Sequence, residues 1–186
     1  MKRVFDLILA ASLFLLLLIP LLLATILVIT TSKGSALYYS DRIGKNNSIF
    51  KMPKFRSMLT GTPAVATHLL DNPGAYLSPI GGFLRSTSLD ELPQLFSVLK
   101  GDMSFVGPRP ALFNQSDLIA LRAEKGVDKL LPGITGWAQV NGRDDLSIPD
   151  KVALDAEYLN RQSFWFDMKI LWMTFLKVMK RDGVSH

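Results

Sequence analysis

Cysteine is absent from the 186 residues, which excludes disulfides, thiol catalysis and cysteine-ligated zinc. Histidine is scarce: His68 and His186 are too few and too scattered for a His-based metal site, so any metal is expected to be a hard ion held by oxygen. Charge is missing from a whole segment, since residues 7–32 contain no Asp, Glu, Lys or Arg. No internal repeat and no nucleic-acid-binding motif accompanies the net charge of +5 and pI near 9.5, so nucleic acid is not expected as a partner. Anionic lipid head groups and a phosphorylated substrate are the simpler partners for this charge.

The uncharged run is where much of the 48% hydrophobic content sits. As one helix its roughly 26 residues would extend about 39 Å, enough to enter a bilayer whose apolar core is about 30 Å thick. It is too long for the apolar core of a signal peptide and lacks a small-x-small cleavage site before Lys33. Lys2 and Arg3 precede the run, and Lys33, Arg42, Lys45, Lys51, Lys54 and Arg56 follow it. Basic flanks stay on the cytoplasmic side, so both ends ask for the same face. Pro20, near the middle, removes a backbone hydrogen bond and favours a kink. The expectation is a re-entrant helix broken at Pro20, with Lys2 and Arg3 as anchoring charges; the alternative is an ordinary span with a tolerated proline.

Beyond it, residues 36–39 and 48–55 read as strands around the turn-forming Gly44-Lys45-Asn46-Asn47, predicting a β-hairpin. Residues 60–82 are rich in turn formers and predict a loop with at most short helical turns. Residues 89–99 predict a helix closed by Gly101, and 103–106 a short apolar segment. Residues 114–129 predict a mostly polar helix without evident chemistry. Residues 164–181 place Trp165, Met168, Trp172, Phe175 and Met179 at helical spacing on one face, with Lys169, Lys177 and Lys180 on others. Such a stripe is either core or a helix lying in the lipid interface.

Chemistry concentrates at Ser88-Leu89-Asp90-Glu91-Leu92-Pro93-Gln94. Ser88 and Glu91 alone have the spacing of a capping box. A helix capped at Ser88, however, would carry Pro93 where its missing N–H breaks a hydrogen bond. The helix is therefore expected to start at Asp90, with Pro93 in its first turn. Arg85 and Arg109 flank this acid pair, and Lys54 could reach a phosphate. Proline on both sides of Arg109 fixes its backbone, lowering the entropy lost when a guanidinium grips an anion. Residues 132–143 hold three glycines that could admit a ligand to the backbone, and Trp137 offers a stacking face; Asn141-Gly142 could equally be only a turn.

These blocks together resemble the bacterial sugar transferase family, the small monotopic polyprenyl-phosphate phosphoglycosyl transferases. The resemblance covers nearly the whole chain: Lys2-Arg3 with Asp6, Lys54-Phe55-Arg56-Ser57-Met58, Arg85 with residues 88–94, residues 100–110, and residues 132–143. It implies an α+β, mainly helical fold, with a re-entrant membrane helix over residues 1–34. Residues 35–186 would form a compact cytoplasmic catalytic region with amphipathic interfacial helices, monotopic at the bacterial inner membrane. The family often has Ser before the proline of the break where this chain has Ile19, and the chain reads as the minimal form without an additional multi-span domain.

The resemblance further implies that Asp90 is the nucleophile attacking a UDP-sugar. UMP would be released, and the phosphosugar would pass from the carboxylate to undecaprenyl phosphate. Mg²⁺ would be held at Asp90, with Glu91 assisting. An anionic nucleophile approaching a diphosphate must be shielded by cations, for which Lys54, Arg85 and Arg109 are the phosphate-binding candidates, and Gln139, Asn141 and Arg143 are candidates for nucleotide or phosphate contacts. A homodimer or downstream glycosyltransferases are further partners it leaves open. A different-class alternative is a membrane-attached scaffold for glycosyltransferases, in which the acid pair is only a helix cap; another is a Mg²⁺-dependent lipid phosphatase. The identity of the sugar is not legible, because pocket selectivity turns on contacts worth about 1–3 kcal/mol each.

Overall fold

The computed structural model describes residues 1–63, 65, 70–142 and 145–180. The uncharged run forms two helices, α1 (Lys2–Leu16) and α2 (Leu18–Thr31), bent by 63°. Leu17 is the break, with φ −93° and ψ 9°, so the expected position at Pro20 is corrected to three residues earlier. The displacement has a simple cause. Pro20 has no N–H for the carbonyl of Leu16, and its ring presses on that carbonyl, so the ladder opens one turn upstream of the proline. Among the described residues no single helix is long and apolar enough to cross a membrane; the bent pair together is.

The first residues of α1 are tied into the body of the protein. Lys2 donates to the Val106 carbonyl at 3.0 Å, to the Tyr158 hydroxyl at 3.3 Å and to Asp167 Oδ2 at 2.6 Å. Arg3 donates to the carbonyls of Val98 and Leu99, closing the C-terminal end of a helix whose last carbonyls lack intrahelical partners. Buried Asp6 accepts from the Phe105 amide at 3.2 Å. Charges that in sequence read only as flanks of a membrane segment thus also dock α1, and Ala10 joins Val98, Met103, Phe105, Tyr158 and Ile170 in the main core.

The hairpin pairs β1 (Leu37–Ile43) with β2 (Ile49–Phe55), antiparallel, with Tyr38 opposite Lys54 and Ile43 opposite Ile49. Asn46 and Asn47 both take positive φ in the connecting turn, a conformation asparagine tolerates. Pro53 is accommodated because a two-stranded sheet consists only of edges. Next come a 3-10 turn at Pro73–Tyr76, α3 (Gly81–Ser86), a 3-10 turn at Leu89–Glu91 and α4 (Gln94–Lys100), which Gly101 ends at φ 101°. The helix expected over 89–99 is therefore divided. Pro93, with φ −60°, forms the N-terminal boundary of α4, where its missing N–H costs nothing.

The apolar segment becomes β3 (Ser104–Val106), paired in parallel with β4 (Gly133–Thr135). A Cβ on Gly133 would lie 2.2 Å from the Gly107 nitrogen, and one on Gly136 would lie 2.1 Å from the Gly107 oxygen. These glycines admit backbone to backbone, not backbone to ligand as the sequence suggested. The chain continues through α5 (Ser116–Glu124), α6 (Trp137–Val140), α7 (Ile148–Arg161) and α8 (Phe164–Lys180). Ser147 caps α7 by accepting from the Asp150 amide. On α8, Phe166, Asp167 and Ile170 are buried, whereas Trp165, Trp172, Phe175 and Met179 are exposed. That aromatic face is therefore not core.

Candidate active site

The hairpin supplies one wall. Successive residues of a strand point to opposite faces, so Tyr38, Ser40 and Arg42 of β1 share a face with Lys54 of β2, and all four line a single cleft of about 950 Å³, at the upper end of the range for ligand pockets. Asp90, Glu91, Arg85 and Arg109 line the same cleft.

The acid pair sits in a sharp turn, not a capped helix. Ser88 is left-handed at φ 56° and its side chain makes no capping hydrogen bond, so the capping-box geometry is not formed. The turn exposes Glu91 to two cations: Oε1 is 2.8 Å from Lys54 Nζ and 3.7 Å from Arg109 Nη2. Asp90 is only 8% exposed. Burial raises its carboxyl above the usual range, Lys54 opposes that shift, Glu91 reinforces it and Arg85 opposes it again. The result is a basic carboxylate that cations only partly compensate, at the edge of an open cleft.

Arg109 is held by more than its two prolines. The Pro108 carbonyl accepts from the Gly133 amide at 2.9 Å, the Arg109 carbonyl from Arg122 Nη1 at 2.8 Å and the Pro110 carbonyl from Arg42 Nη1 at 3.1 Å. The Ile43 amide donates to the Ala111 carbonyl, stitching this segment to β1. Arg122 in turn is gripped by buried Asp155, with both Nε and Nη2 on Oδ2 at 2.9 and 2.6 Å. Burial pushes the Asp155 carboxyl up while Arg122 pulls it down. The helix that seemed to lack chemistry thus carries the residue that fixes Arg109.

Of the residues assigned to nucleotide contact, Gln139 lines the cleft, and both its amide oxygen and nitrogen are buried without a partner among the described residues. Asn141 is exposed, donates to the Trp137 carbonyl at the end of α6 and is not among the residues lining the cleft. Its short side chain satisfies its own helix end instead. Arg143 lies outside the described residues. Trp137 offers no free stacking face: its ring packs on Phe166 at 5.0 Å, Arg161 and Lys169 approach it, and its indole N–H donates to Glu157. Arg42, read from the sequence only as one of several basic residues after the apolar run, lies in the cleft wall; strand alternation in register with Lys54 was the signal for it.

Among the described residues no cluster of three or more His, Cys, Asp or Glu side chains could hold a metal ion. Mg²⁺ would need no such cluster, since it keeps waters and takes one or two carboxylates plus substrate phosphates. Asp90 could hold such an ion, since its carboxylate is buried and incompletely compensated while Glu91 is already engaged by Lys54.

Fold and cleft define an α+β protein with an apolar bent helix pair and a cationic cleft around two carboxylates. The sequence profile described as bacterial sugar transferase matches residues 1–181, and the chain belongs to that family. It is 40% identical over 190 residues to an uncharacterized sugar transferase, EpsL, of Bacillus subtilis, covering 100% of this chain and 91% of that one. It is 42% identical over 199 residues to the undecaprenyl-phosphate glucose phosphotransferase of Komagataeibacter xylinus, covering 100% of this chain and 36% of that one. It is 36% identical over 201 residues to the undecaprenyl-phosphate galactose phosphotransferase of Salmonella typhimurium, covering 98% and 41%. The chain thus spans only about two-fifths of the length of the glucose and galactose enzymes.

Proposed function

We propose that this chain is a phosphoglycosyl transferase that moves a sugar-1-phosphate from a UDP-sugar to undecaprenyl phosphate, as the first membrane step of surface glycan assembly. The observation that carries this reading is the buried, basic Asp90 carboxylate facing a cleft lined by Lys54, Arg85 and Arg109. The names of the phosphotransferase relatives support the donor and acceptor classes.

Asp90 attacks the sugar-bearing phosphorus, UMP leaves, and the acyl-phosphate so formed passes the phosphosugar to the lipid phosphate. Lys54, Arg85 and Arg109 offset the repulsion between an anionic nucleophile and a diphosphate. Glu91 keeps Lys54 and Arg109 in place through its ion pairs. Mg²⁺, held at Asp90, would supply further charge neutralisation on the phosphate oxygens. Gln139, whose amide has no partner among the described residues, is a contact for the donor.

The exposed apolar residues of α1, α2 and α8 support a monotopic seat on the cytoplasmic face of the bacterial inner membrane, with the bent pair entering and leaving by one leaflet. There the lipid phosphate meets the cleft at head-group depth, and the acyl-phosphate is shielded from bulk water.

Intact-protein mass spectrometry with Mg²⁺ and a panel of UDP-sugars, without lipid acceptor, tests the proposal. A phosphosugar adduct on the wild type and none on Asp90→Asn is expected, and the donor that reacts identifies the sugar. UMP release that requires lipid and leaves no adduct would replace the covalent route by direct transfer. No turnover with any donor would favour the scaffold.

A further inference from the structure

Arg42 is a half-buried cation of the cleft wall without an acid of its own among the described residues. Its Nε donates to Ser40 Oγ at 3.0 Å and its Nη1 to the Pro110 carbonyl at 3.1 Å, and no carboxylate lies within ion-pair distance of it among the described residues. Its neighbours are served differently: Arg122 holds Asp155 at 2.6 Å, Lys54 holds Glu91 at 2.8 Å, and Lys51 holds Asp41 on the far face of the hairpin. Desolvation and the Arg109 charge lower the Arg42 guanidinium to about 10 from its ordinary value, and Glu91 and Tyr38 only partly restore it. Partial removal of a charge from water without a close counterion carries a cost, and an anion entering the cleft would offset it.

Arg42 stands beside Arg109 in the cleft, since its Nη1 donates to the carbonyl of Pro110, the residue after Arg109. Lys54 instead holds Glu91, the neighbour of Asp90, at 2.8 Å, and Arg109 reaches the same carboxylate oxygen at 3.7 Å. Lys54 thus stands with the acid pair, and Arg42 with Arg109 forms a second cationic pair. A nucleoside diphosphate sugar carries two anionic phosphoryl groups. The one that reacts must lie at Asp90, which leaves the other for the second pair.

We infer that Arg42 is a donor-binding residue that, with Arg109, holds the phosphate departing with the nucleotide; this rests on the function proposed above. When an Asp90 oxygen forms its bond to the sugar-bearing phosphorus, the bond from that phosphorus to the bridging oxygen breaks. The electron pair stays on the bridging oxygen, which becomes the third terminal oxygen of the nucleoside monophosphate. No proton is consumed. The leaving phosphate gains one negative charge in the half of the cleft where Arg42 stands, and a fixed guanidinium stabilises that charge as it develops. The planar fork of arginine suits a phosphate better than the point charge of lysine.

The test is calorimetric titration of UMP, and separately of uridine, into the full chain in lipid nanodiscs. Wild type, Arg42→Gln and Arg42→Lys are compared, each checked for an unchanged unfolding temperature. UMP affinity is expected to fall at least tenfold in Arg42→Gln and by less in Arg42→Lys, with uridine affinity unchanged in both. Wild-type UMP affinity in Arg42→Gln would overturn the inference, as would equal losses for UMP and uridine, which would mean that Arg42 only braces Ser40 and Pro110. Should Arg42→Gln fail to fold, Arg42→Lys decides alone: a loss confined to UMP supports the role and no loss overturns it. A wild type that bound neither UMP nor any UDP-sugar would overturn the transferase reading itself.

Discussion

Arg122 donates to the main-chain carbonyl of Arg109 at 2.8 Å while Asp155 holds its two remaining nitrogens. A buried ion pair on one side of the cleft wall thereby sets the position of a cation on the other.

Asp155→Ala removes the acid and leaves a largely buried guanidinium uncompensated, a change that costs about 3–5 kcal/mol when one partner of a buried pair is lost. Denaturant unfolding checks the magnitude. Asp155→Asn keeps a hydrogen-bond acceptor, so it is expected to fold and to raise the donor KM more than it lowers kcat. A kcat loss with unchanged KM would speak against a positioning role acting through Arg109.

Asp90→Asn is expected to abolish adduct formation without lowering the unfolding temperature at neutral pH. The Asp90 carboxyl is raised by burial, so the folded state keeps its proton to higher pH than the unfolded chain. Between the ordinary carboxylate range and the raised value, folding stability therefore falls as pH rises. Asparagine carries no such penalty. The variant's unfolding temperature should match the wild type at acid pH and exceed it increasingly as pH climbs through that window, while wild-type adduct formation rises over the same window because only the carboxylate attacks. Scanning calorimetry across pH reads the first effect and mass spectrometry the second.

Gln139 offers a contrast between folding and binding. Both amide atoms are buried without a partner among the described residues, and an unsatisfied buried polar group costs stability of order 1–3 kcal/mol. Gln139→Leu should thus hold or raise the unfolding temperature while weakening UDP-sugar binding, measured by titration. Unchanged binding would show that the amide does not face the donor.

The bend at Leu17 is expected to depend on Pro20. Since the chain has no cysteine, single cysteines introduced at the exposed positions Val4 and Ser35 report sidedness cleanly. Both should be labelled from the cytoplasmic face of inverted vesicles. Pro20→Ala restores an N–H for the Leu16 carbonyl, so it should straighten the pair and lower labelling at one of the two positions. Labelling of the two sites from opposite faces in the wild-type background would establish a span.

Local features of this fold were legible because they depend on local physics. The hairpin followed from two extended segments around an Asn-containing turn, the end of α4 from Gly101, and the kink from a proline in an apolar run. The acid pair with Lys54, Arg85 and Arg109 was legible as five residues, and the structure gathers all five around one cleft. The pairing of β3 with β4 was not legible, since parallel partners 29 residues apart in register carry no local turn signal. Nor were the roles of Arg42, Arg122 and Asp155, because each depends on which carbonyl or carboxylate a distant segment delivers.

The sequence by itself determined the apolar N-terminal run, the hairpin, the absence of thiol chemistry, and the family. Only the tertiary structure decided that Ser88 is a left-handed turn residue and not a cap, that Lys2 and Arg3 are turned into the protein, and that Trp137 is packed instead of open. The physical reason is one of range: backbone preference and hydrophobic period act over a few residues, whereas the field around a carboxylate is set by whatever charges the folded chain brings beside it.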